Sequence, residues 1–590
     1  MTREESTKST VVSAETNTFA RIVFILAFGC VAGAVSSLAS IGFITVIDWL
    51  NDVFLVSPRS RMIAGDSPWV VVATILVPAI GGLLVGVIVL FIADKRPHGP
   101  PDIIRAVQGF GGDVPPRSGV LTAVASIVGI GCGASVGQYG PLAHMGATIG
   151  AFIARFSGSG RPMGTVGVGC GVAAAISTVF NAPIAGIVFA HEVILRHYSL
   201  RAFAPVTVAS TVGFIFANVV FKRNPLFRIE DVRVLYAPEF LGFVVVGIAG
   251  ALVAVLFMRS ILLCGQLAKR INIAQYLKPM FAGACIGIVA IWIPDILGIG
   301  REALRFAIIE DAFTASELAV TLIAKIAATA LCIGFGFAGG VFSPALLIGI
   351  LFGALVGTGL ESAGIEAHSD LSIYAICGMA AVTSPVIGAP LTAIIIVFEL
   401  TRNYGLTTAV MVSVVFSNVV GYRVFGRSLF DVQLKARGFD LSFGRDKVVL
   451  DHRTIENYIT QDFTQLAVGD SLLSGKNKLL AESNTEAYVL SEQHEYVGTI
   501  TLTQLLQLEQ TNQSLEQVVE QFARQEALVF THSTTIWAAM DTMEDFVGES
   551  IPVVISDTDS TLVGVVFEAS VVKAYLDTTK KIRAEEHGMG

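Results

Sequence analysis

Two five-residue segments of this chain combine glycine and proline in a way that suits the binding of a small anion. Gly137 to Pro141 reads Gly-Gln-Tyr-Gly-Pro, and Gly340 to Pro344 reads Gly-Val-Phe-Ser-Pro. Glycine lets a backbone approach an ion closely, and proline suits the first turn of a helix, where its missing N–H would lack a partner. Because the N–H groups that open a helix attract anions, each segment predicts an anion site at a helix N-terminus.

The sequences that follow these two segments repeat one another over about 55 residues. Glu192 and Glu399 occupy matching positions at the ends of the two repeats, nine residues beyond a proline. Internal repeats whose apolar segments are broken by glycine and proline are typical of transporters that bind their substrate near the bilayer midplane. The pattern predicts a transport protein, and it predicts a shared structural role for the two glutamates. The other matching elements are Cys170 to Ala174 with Cys377 to Ala381, and Ala182-Pro183 with Ala389-Pro390.

Two further segments, Pro97 to Asp102 and Gly426 to Phe430, also carry glycine beside apolar runs. Glycine and proline in any one such segment are equally consistent with simple breaks in packed membrane helices. Four segments together, two of them related by a repeat, favour an anion pathway built from broken helices.

The composition is that of a membrane protein. Of 590 residues, 53% are hydrophobic and 15% are charged, and the mean hydropathy is +0.70. Soluble domains carry nearer 25% charged residues. Several uncharged runs, such as 67–93, 240–258 and 326–360, are long enough to cross a hydrocarbon core. The first apolar stretch, about 19–50, is too long for a signal-peptide core. We expect an all-α polytopic bundle that is closely packed through its 58 glycines.

The polar and sulfur-containing residues predict no catalytic or metal chemistry. The seven cysteines lie in apolar segments without CxxC spacing, so we expect them to be packing residues. We therefore expect no metal site, no cofactor and no enzymatic activity. No basic patch indicates a nucleic-acid partner.

The character of the chain changes after about Arg437, where long apolar runs stop and acidic, Gln and Thr residues become frequent. Residues 488–506 predict a strand, a turn, a second strand and a helix. Residues 553–572 predict the same succession about 66 residues later. A soluble α/β unit with a tandem repeat therefore follows the membrane part.

The chain resembles the CLC family of chloride channels and chloride/proton exchangers over nearly its full length. Gly340 to Pro344 resembles the family's GxFxP element, Gly137 to Pro141 its GxEGP element, and Phe180 to Pro183 its FNAP element. His98 to Pro101 is similar to GSGIP, with His98 in place of serine. Phe430 occupies the position of a tyrosine that faces the central anion in many members. The anion-binding residues that this resemblance implies are His98, Gly99, Pro100, Gly137, Gln138, Tyr139, Gly140, Gly340, Val341, Phe342, Ser343 and Phe430.

Three departures from the family pattern bear on mechanism. Tyr139 replaces the gate glutamate, and a phenol with a pKa near 10 stays neutral where a carboxylate would carry a proton. Val193 occupies the position of the inner proton glutamate, which would follow Glu192. Phe430 lacks the hydroxyl of the usual tyrosine, so backbone N–H groups near Phe342 should dominate binding at the central site. Tyr139 is then a gate or constriction, and Val193 marks a lost proton site.

The resemblance implies a passive channel for chloride and similar small anions, among them bromide and nitrate, that works as a homodimer with one pathway per subunit. The alternative is a chloride/proton antiporter with a non-standard proton path. A third interpretation is a sensor that conducts nothing because Tyr139 seals the path. The expected location is the cell membrane, a bacterial inner membrane, with the C-terminal unit cytosolic, because Lys95, Arg96, Lys269 and Arg270 fit cytosolic loops.

The implied domains are an N-terminal tail (1–17), a transmembrane domain (18–437) with halves of about 18–225 and 237–437, and a linker (438–455). A tandem of CBS domains (456–580) and a tail (581–590) follow. CBS pairs often bind adenine nucleotides, and the family pattern places an aspartate six residues after a glycine. Here Gln504 follows Gly498 and Ser570 follows Gly564 at that spacing. The missing carboxylate argues against nucleotide sensing and favours a regulatory or dimer-stabilising role.

Two histidines near the predicted pathway allow alternative interpretations. His98 is either a satisfied interfacial residue or a group that adds positive charge to the inner mouth when protonated near pH 6. His144, one turn after Tyr139, either bonds a neighbouring helix or takes part in gating.

Overall fold

The computed structural model describes residues 4–54, 56, 61, 68–157, 161–223, 239–309, 312–362, 369–511, 513–525, 528–544, 546 and 548–586. The chain divides into two compact units, Met1–Phe439 and Asp440–Gly590. Each unit is described by itself below.

The first unit is helical. Its helices in the first half are α1 (Glu4–Val53), α2 (Pro68–Leu90), α3 (Pro100–Phe110), α4 (Pro116–Gly131), α5 (Tyr139–Phe156), α6 (Arg161–Phe180), α7 (Pro183–Phe189) and α8 (Leu200–Phe214). Those of the second half are α9 (Glu239–Arg270), α10 (Lys278–Val289), α11 (Arg301–Phe306), α12 (Ala315–Gly334), α13 (Phe342–Ser362), α14 (Leu371–Ile387), α15 (Pro390–Thr401), α16 (Tyr404–Val424) and α17 (Leu429–Lys435). Eight helices in the described part are long and apolar enough to cross a membrane. The predicted all-α polytopic unit is confirmed.

The internal repeat is visible in the packing of two equivalent helix pairs. Gly146 on α5 meets Gly171 on α6, and a Cβ added to Gly171 would lie 1.9 Å from the Gly146 carbonyl oxygen. Gly349 on α13 meets Gly378 on α14, where the corresponding distance to the Gly349 oxygen is 2.6 Å. A side chain at these positions would separate the helices, since real Cβ atoms do not approach that closely. Glycine at these positions thus holds each loop-bearing helix against its neighbour.

The turn before each loop also depends on glycine. Gly133 has a φ of 91° and Gly336 a φ of 96°, both in the left-handed region that other residues rarely adopt. These turns end α4 and α12 and direct the chain into the segments at 137–141 and 340–344. The same backbone conformation therefore positions both loops.

The two repeats exchange helix caps through Glu192 and Glu399. The Glu192 carboxylate accepts from the backbone N–H groups of Leu391 at 2.9 Å and Thr392 at 2.8 Å, at the N-terminus of α15. The Glu399 carboxylate accepts from the N–H groups of Ile184 at 2.9 Å and Ala185 at 2.7 Å, at the N-terminus of α7. A carboxylate satisfies unpaired N–H groups there and complements the helix dipole. The shared structural role predicted for the two glutamates is confirmed.

The second unit contains two α/β modules. In the first, β1 (Thr464–Ala467) pairs in parallel with β2 (Glu486–Leu490), which pairs antiparallel with β3 (Tyr496–Thr501). In the second, β4 (Phe530–Thr531), β5 (Ser550–Ser556) and β6 (Asp559–Phe567) repeat that order. The helices are α18 (Arg445–Asp451), α19 (Leu472–Glu482), α20 (Leu502–Gln510), α21 (Ile536–Thr542) and α22 (Glu568–Glu586). The predicted tandem of strand, strand and helix is confirmed.

Candidate anion pathway

The two loops predicted from sequence meet at the centre of the first unit. The Gly137 N–H donates to the Gly340 carbonyl oxygen at 2.6 Å, and the Gly340 N–H donates back to Gly137 at 2.7 Å. A Cβ added to Gly137 would lie 2.8 Å from the Gly340 oxygen, so neither position admits a side chain without movement. The N-termini of α5 and α13 are therefore brought together by an antiparallel bridge between the repeats.

This bridge leaves several backbone donors at the two N-termini without a protein partner. The Gln138 N–H donates to Ser343 Oγ at 3.3 Å. Within the described segments, the N–H groups of Tyr139 and Gly140 on α5, and of Phe342 and Ser343 on α13, donate to no acceptor. First-turn N–H groups carry the positive end of the helix dipole. Two facing N-termini with free donors can replace part of the hydration shell of an anion.

Aromatic rings enclose Tyr139. Its side chain is 2% exposed, and its ring centroid lies 4.2 Å from that of Phe180 and 5.3 Å from that of Phe342. The Tyr139 and Phe342 rings are nearly perpendicular, at 86°, and Phe180 and Phe342 are themselves 5.3 Å apart. Such edge-to-face and tilted contacts stabilise aromatic clusters. The residue at the predicted gate is thus packed among rings beside the free N–H groups.

A cation that the sequence interpretation missed lies next to the first loop. Arg301, at the start of α11, donates to Asp48 Oδ1 at 2.7 Å and to Gln138 Oε1 at 3.3 Å. A cavity of about 240 Å³ adjoins it, lined also by Asp52, Asp295 and Arg305. Arg301 lies outside the repeat and far from Gln138 in sequence, so no sequence pattern marked it. Its guanidinium, paired with Asp48, thus reaches the residue that precedes Tyr139.

In the segment at His98, which the sequence places among the anion-binding residues, the backbone N–H groups donate to protein acceptors. The His98 N–H donates to Thr122 Oγ1 at 3.3 Å, and the Gly99 N–H donates to Asp102 Oδ2 at 2.9 Å. Pro100 and Pro101 carry no N–H. The backbone of this segment is therefore occupied by protein acceptors, and the His98 side chain is the donor that remains. A Cβ added to Gly140 would lie 3.5 Å from Pro100 Cδ, so the segment still adjoins the first loop.

Asp102 connects α3 to the segment that directly follows α17, the helix that carries Phe430. Its carboxylate accepts from Arg96 at 2.6 Å and from Arg437 at 3.0 Å. Burial alone would raise the pKa of Asp102, but the hydrogen bond from Arg96 and the charge of Arg437 lower it well below its usual range. Phe430 is 4% exposed, so the hydroxyl-free ring lies inside the protein.

The charges around His98 determine its protonation. Burial has the largest effect and lowers its pKa, while Asp102 and Asp94 act in the opposite direction and Arg96 and Arg437 oppose protonation. The net effect is a lowered pKa. His98 is therefore expected to remain neutral to a lower pH than a free histidine.

The position of the absent inner carboxylate is apolar. Val193 is 2% exposed and lies in a π-helical turn, Ala190–Leu195, that continues α7. The carboxylate of its neighbour Glu192 is committed to the N-terminus of α15. Neither residue thus offers a free proton-accepting group at this point.

Comparison with known proteins agrees with this architecture. The family model described as voltage gated chloride channel matches residues 81–422, more than half of the chain. This chain belongs to the CLC family. A CBS domain model matches residues 519–577, a range that includes the strands β4 to β6 of the C-terminal unit. The chain is therefore a CLC protein with a C-terminal CBS domain, and a multi-pass membrane protein.

Two curated bacterial relatives each match about two thirds of this CLC chain. It is 26% identical over 409 residues to a ClcB-like chloride channel protein of Ralstonia nicotianae, covering 68% of this chain and 94% of the relative. It is 24% identical over 421 residues to the voltage-gated ClC-type chloride channel ClcB of Escherichia coli, covering 69% and 97%.

Two solved structures share the fold. A slow cyanobacterial Cl⁻/H⁺ antiporter aligns with a TM-score of 0.63 at 22% identity, covering 70% of this chain and 97% of the other. A eukaryotic CLC transporter aligns with a TM-score of 0.61 at 18% identity, covering 93% and 98%. The CLC family thus includes proteins described as channels and proteins described as proton-coupled antiporters, so the family alone does not assign one of these activities to this chain.

Proposed function

We propose that this protein is a passive anion channel, in which chloride and similar small anions pass without coupled proton movement. The observation that carries the proposal is the surroundings of Tyr139. Phe180 and Phe342 pack against its ring, and Arg301 reaches the neighbouring Gln138. None of these groups is a carboxylate, and a phenol flanked by rings and a cation does not exchange protons at neutral pH.

The proposed route passes the bridge between Gly137 and Gly340. The free N–H groups of Tyr139, Gly140, Phe342 and Ser343 would hold the anion, and movement of the Tyr139 ring away from Phe342 would open the path. Arg301, paired with Asp48, would orient the Gln138 side chain beside the path. The Val193 position would add no proton station, since its side chain is apolar. The proposed assembly is a homodimer in a bacterial inner membrane with the C-terminal unit in the cytosol.

A second candidate function, chloride/proton antiport by a non-standard path, is favoured by one observation. His98 Nε2 lies 3.5 Å from Asp94 Oδ2, and the His98 and His144 ring centroids are 5.6 Å apart. Chains of carboxylate and histidine relay protons in membrane transporters. This chain of groups would have to carry every transported proton, because Tyr139 and Val193 do not.

Reconstitution separates the two functions. Purified protein in liposomes is given an outward chloride gradient, and external chloride and pH are recorded together, with protein-free liposomes as the control. The channel predicts chloride efflux under a valinomycin clamp with no associated proton uptake. Uphill proton uptake driven by the chloride gradient would reject the channel in favour of the antiporter, and absence of chloride efflux would reject both.

A further inference from the structure

His144 is a buried histidine whose polar atoms the anion pathway described so far does not use. It lies on α5, is 1% exposed, and neither Nδ1 nor Nε2 has a hydrogen-bond partner in the described part of the chain. A neutral imidazole always carries one N–H donor and one acceptor nitrogen. Leaving such a group unpaired in a protein interior costs about 1–3 kcal/mol. This position therefore indicates a ligand that is not part of the polypeptide.

The His98 ring lies next to His144. The two ring centroids are 5.6 Å apart with an interplanar angle of 81°, and His98 Nε2 also lacks a hydrogen-bond partner among the residues described. The two imidazoles come from different elements, the turn before α3 and the body of α5. They thus place two imidazoles side by side, each able to carry one N–H donor.

The location of this pair is the junction of α3 and α5. Pro100 at the start of α3 lies close to Gly140 at the start of α5. The backbone of the His98 segment has no donor left for a ligand, because Thr122 and Asp102 accept its two N–H groups. Any ligand held by this segment must therefore be bound by side chains.

The net charge around the pair does not by itself select an anion. Arg96 and Arg437 approach Asp102, and Asp94 approaches both His98 and Arg96. Two cations and two carboxylates balance. Thr122 also places a side-chain hydroxyl beside His98. Selection of a small anion must then come from the N–H donors of the rings.

We infer that His98 and His144 form a side-chain subsite for a small monovalent anion such as chloride or nitrate. Each neutral imidazole donates an N–H to the anion, which supplies the acceptor that His144 lacks within the described part of the chain and a closer one for His98 than Asp94 at 3.5 Å. The subsite rests on the proposed function, because its ligand is the permeating ion. It also provides donors near a pathway in which Phe430 presents no hydroxyl.

Equilibrium binding tests the subsite without relying on flux. Chloride is titrated calorimetrically into the detergent-purified full chain in a halide-free buffer. In His144→Leu, which keeps most of the volume and removes both nitrogens, the dissociation constant should rise about tenfold, the effect of one lost hydrogen bond to a charged group. His144→Gln, which keeps an N–H donor, should stay within about threefold of the natural protein. The matched control is His191→Leu, because His191 is also buried and lies outside the pair, and its dissociation constant should not change.

A measurement on the unaltered protein guards against misfolded variants. In protein labelled with ¹⁵N-histidine, chloride addition should shift the N–H resonance that is absent from the His144→Gln spectrum. An unchanged dissociation constant in a His144→Leu protein with a normal size-exclusion profile would overturn the subsite, as would an unshifted resonance. Proton-coupled transport in the natural protein would contradict the proposed channel function. The chloride titration would still test anion binding by the histidine pair, because it does not depend on flux. Loss of that proton coupling in His144→Leu with unchanged binding would make the pair a proton relay and reject the subsite.

Discussion

Replacing Glu192 or Glu399 tests whether the two repeats stabilise one another through exchanged helix caps. Glu192 accepts three hydrogen bonds, two from backbone N–H groups of α15 and one from Thr392 Oγ1 at 2.6 Å. Glu399 accepts two, because Ala185 stands where Thr392 stands in the other repeat. Each bond is partly exposed, so we take about 1 kcal/mol for each. The expected loss of unfolding free energy is about 3 kcal/mol for Glu192→Ala and about 2 kcal/mol for Glu399→Ala.

Thermal unfolding in detergent, followed by intrinsic fluorescence, measures this loss. The first unit contains Trp49, Trp69 and Trp292. With an unfolding entropy of about 2.1 cal/mol/K per residue, a unit of this size changes Tm by about 1 °C per 0.9 kcal/mol. We expect decreases of about 3 °C and about 2 °C for the two variants. Glu361→Ala removes an exposed carboxylate near the C-terminus of α13 and should leave Tm unchanged.

A double-mutant cycle tests the difference between the two caps. Thr392→Val removes only the third hydrogen bond to Glu192 and should lower Tm by about 1 °C. In the Glu192→Ala background the same change should have little further effect, because its partner is already absent. Equal Tm values for natural protein, Glu192→Ala and Glu399→Ala would refute the exchanged caps as a stabilising feature.

Three further predictions concern transport. Tyr139→Ala should increase the rate of chloride efflux from liposomes several-fold, because it removes the ring packed against Phe180 and Phe342; an unchanged or lower rate in folded protein would contradict Tyr139 as the constriction. The double variant Tyr139→Glu and Val193→Glu should acquire chloride-driven proton uptake, since it supplies both missing carboxylates. A pH electrode that records no uptake while chloride still moves would count against these two positions as proton-carrying sites. Internal acidification should raise anion conductance only below about pH 6.5, because the pKa of His98 is lowered, and His98→Ser should abolish the response; an identical pH profile in that variant would exclude His98 as its origin.

Much of the architecture could be predicted because the repeat consists largely of glycine and proline positions. These two residues directly determine the conformation and the packing of the backbone. Proline opens α7 and α15, and glycine pairs such as Gly146 with Gly171 report close helix contacts. The change of composition near Arg437 likewise indicated a boundary close to the one between the two compact units, which lies after Phe439. These features depend on the chemistry of neighbouring residues, which the sequence shows directly.

The contacts between distant segments could not be predicted in this way. The bridge from Gly137 to Gly340 and the position of Arg301 beside Gln138 join residues separated by more than 150 positions. Matching positions suggested a shared role for Glu192 and Glu399, but not that each caps a helix of the other repeat. The acceptor of the His98 N–H could not be predicted for the same reason, since Thr122 lies on another helix.

The most direct test of uncoupled anion conduction is simultaneous recording of chloride and proton movement in liposomes that contain the purified natural protein. A passive channel should release chloride down its gradient, with an external pH trace that matches protein-free liposomes. Proton uptake against its own gradient, in fixed proportion to the chloride released, would contradict it.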